Sequence, residues 1–152
     1  MRNVRIIESP IGRLTLVSDG TALTAVVFGE SEAAHETGDD QVLALAQQEL
    51  AAYFAGTLKA FTVPLAYAGT DFQRRVWQAL LTIPFGEKVS YQDVAIKIGN
   101  PKAVRAVGHA NNQNPIPIII PCHRVLGKNG SLVGYGGGLA IKQALLDLEV
   151  AK

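Results

Sequence analysis

Apolar and polar residues alternate with a period of two through 4–8 and again through 14–18, and Asp19-Gly20 leads directly into a third such run over 22–28. A period of two turns one face of the chain inward and the other outward. Asp-Gly is turn chemistry suited to a hairpin, so an antiparallel sheet is predicted to open the fold. The segment 29–40 is polar, acidic and aperiodic, and reads as a surface loop in which His35 is incidental. From Gln41 the spacing changes: Leu43, Ala46, Leu50 and Phe54 recur at helical intervals, and Gly56 stands where a C-terminal cap belongs. One helix is thus predicted to pack on the sheet. Residues 61–65 read as a short edge strand interrupted by Pro64, and 66–69 as the connection into a second half.

That second half is punctuated as a series of helices. Thr70 and Gln73 have the spacing of a capping box, and Phe72, Val76 and Leu80 follow on one helical face until Pro84-Phe85-Gly86 breaks the chain. Ser90 and Asp93 offer a second cap of the same kind for a short helix with Val94, Ala95 and Ile98 turned inward, ended by Gly99. Asn100 is expected to cap the next helix, with Pro101 at its first position, where a missing N–H costs nothing. Two short helices joined through Gly99-Asn100 have the outline of a helix-turn-helix. A last helix is predicted over 139–148.

The helix after Asn100 carries a polar stripe of Lys102, Arg105, His109 and Asn112, and between these positions stand only Ala103, Val104, Ala106, Val107, Gly108, Ala110 and Asn111. So thin a helix could approach a narrow minor groove, about 6 Å wide, where a reader of the major groove would present longer side chains. The same residues would equally suit a small-residue helix packed tightly on a neighbour, with a solvated basic face.

Composition adds a division of charge. The chain has 152 residues, 48% hydrophobic and 18% charged, and lacks the run of about 18–20 apolar residues that a membrane span needs. Its start, Met1-Arg2-Asn3-Val4-Arg5, does not read as a secretory signal, so a cytoplasmic location is expected. Residues 1–68 hold four Lys/Arg against eight Asp/Glu, whereas the remaining 84 hold ten against five. A basic second half is the footprint expected for a polyanionic partner, although it would also suit an ordinary solvated surface.

The single cysteine, Cys122, rules out an intramolecular disulfide and a multi-cysteine zinc site. It is delivered by Pro115-Ile116-Pro117-Ile118-Ile119-Ile120-Pro121, whose prolines forbid a helix and leave an edge strand or an extended, buried connector. His123 and Arg124 follow it, and an imidazole and a guanidinium beside a thiol are surroundings that lower its pKa. Neighbouring side chains of an extended chain point apart, so His123 is expected to reach the sulfur through a bend or a bridging water. Glu149 is a candidate for the acid that orients the histidine.

The stretch Gly99-Asn100-Pro101-Lys102-Ala103-Val104-Arg105-Ala106-Val107-Gly108, then Asn114-Pro115, and the pentad Pro121-Cys122-His123-Arg124-Val125 closely resemble the O6-alkylguanine-DNA alkyltransferase family, the methylated-DNA–protein-cysteine methyltransferases. Ser90-Tyr91, Gly134-Tyr135-Gly136-Gly137-Gly138-Leu139 and Glu149 fall in the family order as well, so the likeness covers roughly residues 69–149. It implies an α+β fold: an RNase H-like N-terminal domain, residues 1–67, with an antiparallel sheet and one helix, and a mainly helical, winged helix-turn-helix-like C-terminal domain, residues 68–152.

The resemblance further implies that Cys122 accepts the alkyl group, His123 is the base acting through water, Glu149 orients it, Asn114 braces the turn around the site and Tyr91 protonates the leaving base. Arg105 would fill the stack after the damaged nucleotide is rotated out. Lys102, Ala106, Gly108, His109, Asn100 and Ser90 would lie on the DNA, and Tyr91, Val125, Tyr135, Gly136 and Gly137 would line the base pocket. Gly136 stands where some relatives have serine, so a donor there must be a backbone N–H. The implied partner is double-stranded DNA containing O6-alkylguanine, with O4-alkylthymine as a further lesion, bound through the minor groove by a monomer without membrane, metal or cofactor. Displacing guanine from a methyl carbon calls for a soft nucleophile, and the thioether formed cannot be hydrolysed, so each molecule would act once. Three other readings fit fewer of these residues: a cysteine hydrolase using Cys122, His123 and Glu149, a non-enzymatic binder of alkylated DNA, and a winged-helix regulator.

Overall fold

A computed structural model describes residues 2–29 and 36–150; His35, assigned above to a surface loop, lies outside the described residues. The chain divides into two compact units, Met1–Tyr67 and Ala68–Lys152.

In the first unit, β1 (Asn3–Ile7), β2 (Leu14–Ser18) and β3 (Leu23–Phe28) form an antiparallel sheet in that order. Val4 pairs with Val17 and Leu16 with Val26, and a bulge at Val17/Ser18 shifts the second register. The central strand is buried along its whole length. Helix α1 (Gln41–Phe54) lies on the sheet and buries Val42, Leu43, Ala46, Leu50 and Tyr53. Its start is fixed by Asp40, whose carboxylate accepts from the Leu43 N–H (2.8 Å), Ser18 Oγ (2.9 Å) and Asn3 Nδ2 (2.6 Å), so one cap joins the helix to two strands. Gly56 follows the helix at φ +80°, the left-handed geometry that ends helices. Two expectations change here. Tyr53, not Phe54, is the fully buried aromatic of the last turn. Residues 61–65 are no strand: Pro64 lacks an N–H for a ladder, and the segment gives only an isolated bridge at Leu23. The buried Glu49 carboxylate holds it instead, accepting from the Thr62 N–H and hydroxyl and the Val63 N–H.

In the second unit, α2 (Asp71–Leu80) and α3 (Tyr91–Lys97) both begin with complete capping boxes, Thr70 with Gln73 and Ser90 with Asp93. Helix α4 (Val104–Asn112) packs against both. Trp77 of α2 is buried and donates Nε1–H to the Ala110 carbonyl at 2.9 Å, which ties α2 to α4. The ring passes so close to Gly69 that a Cβ there would lie 2.8 Å from it. Helix α4 begins at Val104 rather than at Pro101. The Asn100 carbonyl accepts from the Ala103 N–H (3.0 Å), so 100–103 form a turn with Pro101 in its second place, and Ala103 precedes the helix without a side-chain cap. Strand β4 (Val89–Ser90) pairs in parallel with β5 (Val125–Leu126), and α5 (Leu139–Val150) ends the described chain. Among the described residues no helix is long and apolar enough to cross a membrane.

Candidate active site

The approach to Cys122 is a turn, not the edge strand or extended connector expected. The Ile120 N–H bonds back to the Ile116 carbonyl (2.9 Å), and Ile118 sits at φ +75°, a left-handed conformation unfavourable for a β-branched residue. The two ends of the turn are clamped by one side chain: Asn114 Nδ2 donates to the Ile120 carbonyl (2.8 Å), and Asn114 Oδ1 accepts from the Ile116 N–H (2.9 Å). The prolines exclude a helix, and Asn114 together with the burial of Ile116, Ile118, Ile119 and Ile120 holds the strained path.

Cys122 opens a single 3₁₀ turn, Cys122–Arg124, and its thiol is almost wholly buried. Burial pushes the thiol up to about 11, against the opposing influence of the Asn114 amide, the Lys142 charge and Tyr135. This corrects the expectation that His123 and Arg124 acidify their neighbour. The 3₁₀ turn throws Arg124 away from the sulfur: Nε and Nη2 form a fork on the two Glu149 oxygens at 2.8 and 2.9 Å, and Nη1 donates to the Ile83 carbonyl at 2.6 Å. Burial thus keeps the thiol neutral, and for its sulfur to act as a thiolate a proton acceptor is needed.

His123 fits that need. Its Nε2 is 2.6 Å from Glu149 Oε2, both groups are buried, and its Nδ1 is buried without a hydrogen-bond partner among the described residues. Burial lowers the imidazole pKa, with Glu149 working against it and Arg124 and Lys142 adding to it. With Nε2–H assigned toward the carboxylate, Nδ1 is a free acceptor for a proton. Glu149, in the last turn of α5, also accepts from the Gly86 N–H (3.1 Å), so donors from His123, Arg124 and Gly86 converge on its oxygens and its charge is matched by Arg124.

Tyr91, at the first position of α3, lies over Gly108 of α4, where a Cβ would be 3.9 Å from the ring. Its hydroxyl donates to the Val133 carbonyl at 3.2 Å. Burial raises its pKa, the nearby Cys122 raises it further, and the Asn111 side chain works the other way. The loop between β5 and α5 closes this side. Lys142 of α5 is fully buried, donates to the Val133 (2.8 Å) and Gly134 (3.3 Å) carbonyls and lies 5.9 Å from the centre of the Tyr91 ring. Tyr135 and Gly137 are half-buried, Val125 is buried in β5, and Gly136 is exposed with only the Asn112 carbonyl near the place of a Cβ.

The remaining residues lie on the α3–α4 side. Arg105, Ala106 and His109 are exposed on α4, whereas Gly108 is half-buried beneath Tyr91. Lys102 and Asn100 are exposed in the turn before α4 rather than on a continuous helical stripe. The Ser90 hydroxyl is engaged as the cap of α3, accepting from the Asp93 N–H. Ser90, Tyr91, Gln92, Val104, Lys128 and Asn129 line a cleft of about 390 Å³. Sequence reasoning singled out neither Lys142 nor Asn111. Lys142 stands two turns before Glu149 on the face that buries Leu145 and Leu146, so the assignment of Glu149 already pointed inward along that stripe. Asn111 shares the buried face of α4 with Val107 and Ala110 in the same way.

Residues 4–67 match the ribonuclease-like domain, and residues 71–151 the DNA-binding domain, of 6-O-methylguanine DNA methyltransferase. A methylated-DNA–protein-cysteine methyltransferase of Mycobacterium bovis is 52% identical over 156 residues, covering 100% of this chain and 94% of the relative. One from Methanosarcina acetivorans is 52% identical over 149 residues, covering 95% of this chain and 96% of its own. The crystal structure of Mycobacterium tuberculosis OGT in complex with DNA superposes with a TM-score of 0.91 at 53% identity, covering 98% of this chain and 93% of that one.

Proposed function

The chain belongs to the 6-O-methylguanine DNA methyltransferase family, and from that premise we propose how its own residues carry out repair by alkyl transfer from DNA to a cysteine. The observation that carries the reading is the buried line Cys122, His123, Glu149: a lone thiol, an imidazole with a free Nδ1, and a carboxylate 2.6 Å from Nε2. The thiol proton passes to His123 Nδ1 through water, and the Glu149 carboxylate balances the imidazolium that forms, against the opposing charge of Arg124. The sulfur lone pair attacks the alkyl carbon in line, the C–O6 bond breaks, and its electron pair stays on the guanine. Tyr91 supplies the proton that neutralises the leaving base. The product is a thioether, which no group in the site can hydrolyse, so one chain repairs one lesion.

The alkyl carbon cannot be reached within stacked DNA, so the nucleotide has to be rotated out, at a few kcal/mol for unstacking. Arg105 on exposed α4 is suited to fill the vacated position. Ala106 lets the helix approach the minor groove, and Lys102 and His109 face the phosphates. The rotated base would lie among Tyr91, Val125, Tyr135 and Gly137, with the N–H of Gly136 toward O6. A monomer suffices, because every group named belongs to one chain.

Incubating the protein with an excess of duplex carrying one O6-methylguanine tests this. The amount of guanine restored should equal the amount of protein and then stop, and Cys122→Ser should restore none. Continued turnover, or restoration by Cys122→Ser, would exclude the mechanism.

A further inference from the structure

Lys142 carries an ammonium into the interior of the second unit without an acid to match it. The residue is fully buried, and Nζ donates only to neutral groups, the Val133 carbonyl at 2.8 Å and the Gly134 carbonyl at 3.3 Å. Among the described residues no carboxylate lies within ion-pair distance of it. Glu149 stands seven residues further along α5, about 10 Å by helical rise, and is engaged by His123 and Arg124. Burying a charge unpaired is expensive, and groups so perturbed gather where chemistry uses them.

One neighbour can become the missing anion. The Tyr91 hydroxyl donates to the same Val133 carbonyl as Lys142, its ring centre is 5.9 Å from Nζ, and Cys122 is near enough to act on that hydroxyl. The Lys142 charge favours ionisation of the Cys122 thiol, and Cys122 in turn opposes the loss of the lysine proton that burial promotes. The other ionisable groups around the pair are Tyr91 of α3, Tyr135 in the loop before α5, and His123 and Arg124 in the 3₁₀ turn, the last two held by Glu149.

We infer that Lys142 is a positioning residue of the reaction, whose ammonium is the countercharge of the thiolate on Cys122 until the sulfur–carbon bond forms. This deepens the proposed function and rests on it for the alkyl donor. As the thiol proton leaves for His123, negative charge stays on the sulfur, and a nearby cation in a buried site stabilises it strongly because little water screens the pair. Once the sulfur–carbon bond has formed and the C–O6 electron pair has left with the base, the sulfur is a neutral thioether and Lys142 is again unmatched. Its charge therefore favours the ionised sulfur over both thiol and product, which is how a fixed charge accelerates a step.

Methyl iodide tests this without DNA, since its reaction with the single cysteine follows the thiolate fraction and peptide mapping locates the methyl group. Rates between pH 6 and 10 are measured for the unaltered chain, Lys142→Met and Lys142→Arg, alongside single-turnover transfer from a duplex carrying O6-methylguanine. Lys142→Met should react about tenfold or more slowly with both donors at pH 7.5, the effect of a thiol ionising one pH unit higher, and Lys142→Arg should stay within about threefold of the unaltered chain. If Lys142 only ties down the loop, cutting the tie exposes the thiol and leaves the methyl iodide reaction as fast or faster while duplex transfer falls. That result, or Lys142→Arg as slow as Lys142→Met with methyl iodide, would overturn the inference. The expected methyl iodide pattern in a chain that takes no methyl from the duplex would uphold the charge pairing and overturn the proposed function instead.

Discussion

Replacing Glu149 by glutamine keeps the volume of the side chain and removes its charge, and the hydrogen bonds around it determine the consequences. The carboxylate accepts from His123 Nε2, Arg124 Nε, Arg124 Nη2 and the Gly86 N–H at 2.6–3.1 Å in a buried setting. A glutamine offers one acceptor oxygen and turns an NH₂ toward groups that are themselves donors, leaving Arg124 buried without countercharge. Breaking a buried pair in this way costs about 3–5 kcal/mol of stability. The catalytic consequence is separate. Without an acceptor at Nε2 the imidazole no longer holds its proton there, Nδ1 ceases to be the free base, and transfer should slow by about a hundred- to ten-thousand-fold, the usual contribution of a placed general base. Rapid-quench transfer rates, urea denaturation and duplex affinity are to be measured together. The double variant Arg124→Met/Glu149→Leu separates the two effects: apolar replacement of the ion pair should recover part of the stability and none of the rate. A Glu149→Gln rate within about fivefold of the unaltered chain, or a double variant that regains activity, would refute the assignment of Glu149 as the group that orients His123.

Because burial lowers the His123 pKa in the folded chain, the unfolded chain binds its proton more readily, and stability should fall as pH drops below the unfolded value of about 6.5. Urea denaturation at pH 7.5 and 5.5 should reveal a loss of up to about 1.4 kcal/mol that His123→Asn abolishes, and an equal loss in that variant would contradict the assignment. Asp40→Ala removes a helix cap shared with Ser18 and Asn3 and should lower stability by about 1–2 kcal/mol with transfer unaffected at temperatures where the fold persists, a result readable by calorimetry and refuted by an unchanged transition. Lys142→Met leaves the Val133 and Gly134 carbonyls without their ammonium donor, so amide exchange should quicken across residues 131–138 and the transfer rate should fall; unchanged exchange there would refute the role of Lys142 as the tie of that loop.

Local chemistry made much of the fold readable. The capping boxes at Thr70 and Ser90 need only residues three apart, and strands stand where the alternating runs do, although the central one is buried along its whole length rather than on one face. Misreadings arose where two local solutions share one signal. A proline with φ near −65° suits the first place of a helix and the second place of a turn equally, so Pro101 alone could not decide where α4 begins. Neighbours in sequence proved not to be neighbours in space. Arg124 follows the cysteine by two residues, yet the 3₁₀ turn sends it to Glu149, and the cation that acts on the thiol is Lys142, twenty residues on. The path of 115–121 was closed to sequence reasoning because it depends on a left-handed Ile118, held by Asn114 and by burial rather than by any preference of its own.

The central claim is that the alkyl carbon ends on Cys122. The intact mass of the protein after incubation with duplex DNA bearing one O6-methylguanine, followed by peptide mapping, tests it most directly, with Cys122→Ser alongside. The account predicts a stoichiometric gain of one methyl group in place of the thiol hydrogen, located on Cys122 and absent from the variant. An unchanged mass while the lesion-bearing duplex is still bound more tightly than undamaged DNA would contradict it and make the chain a protein that recognises damage without repairing it.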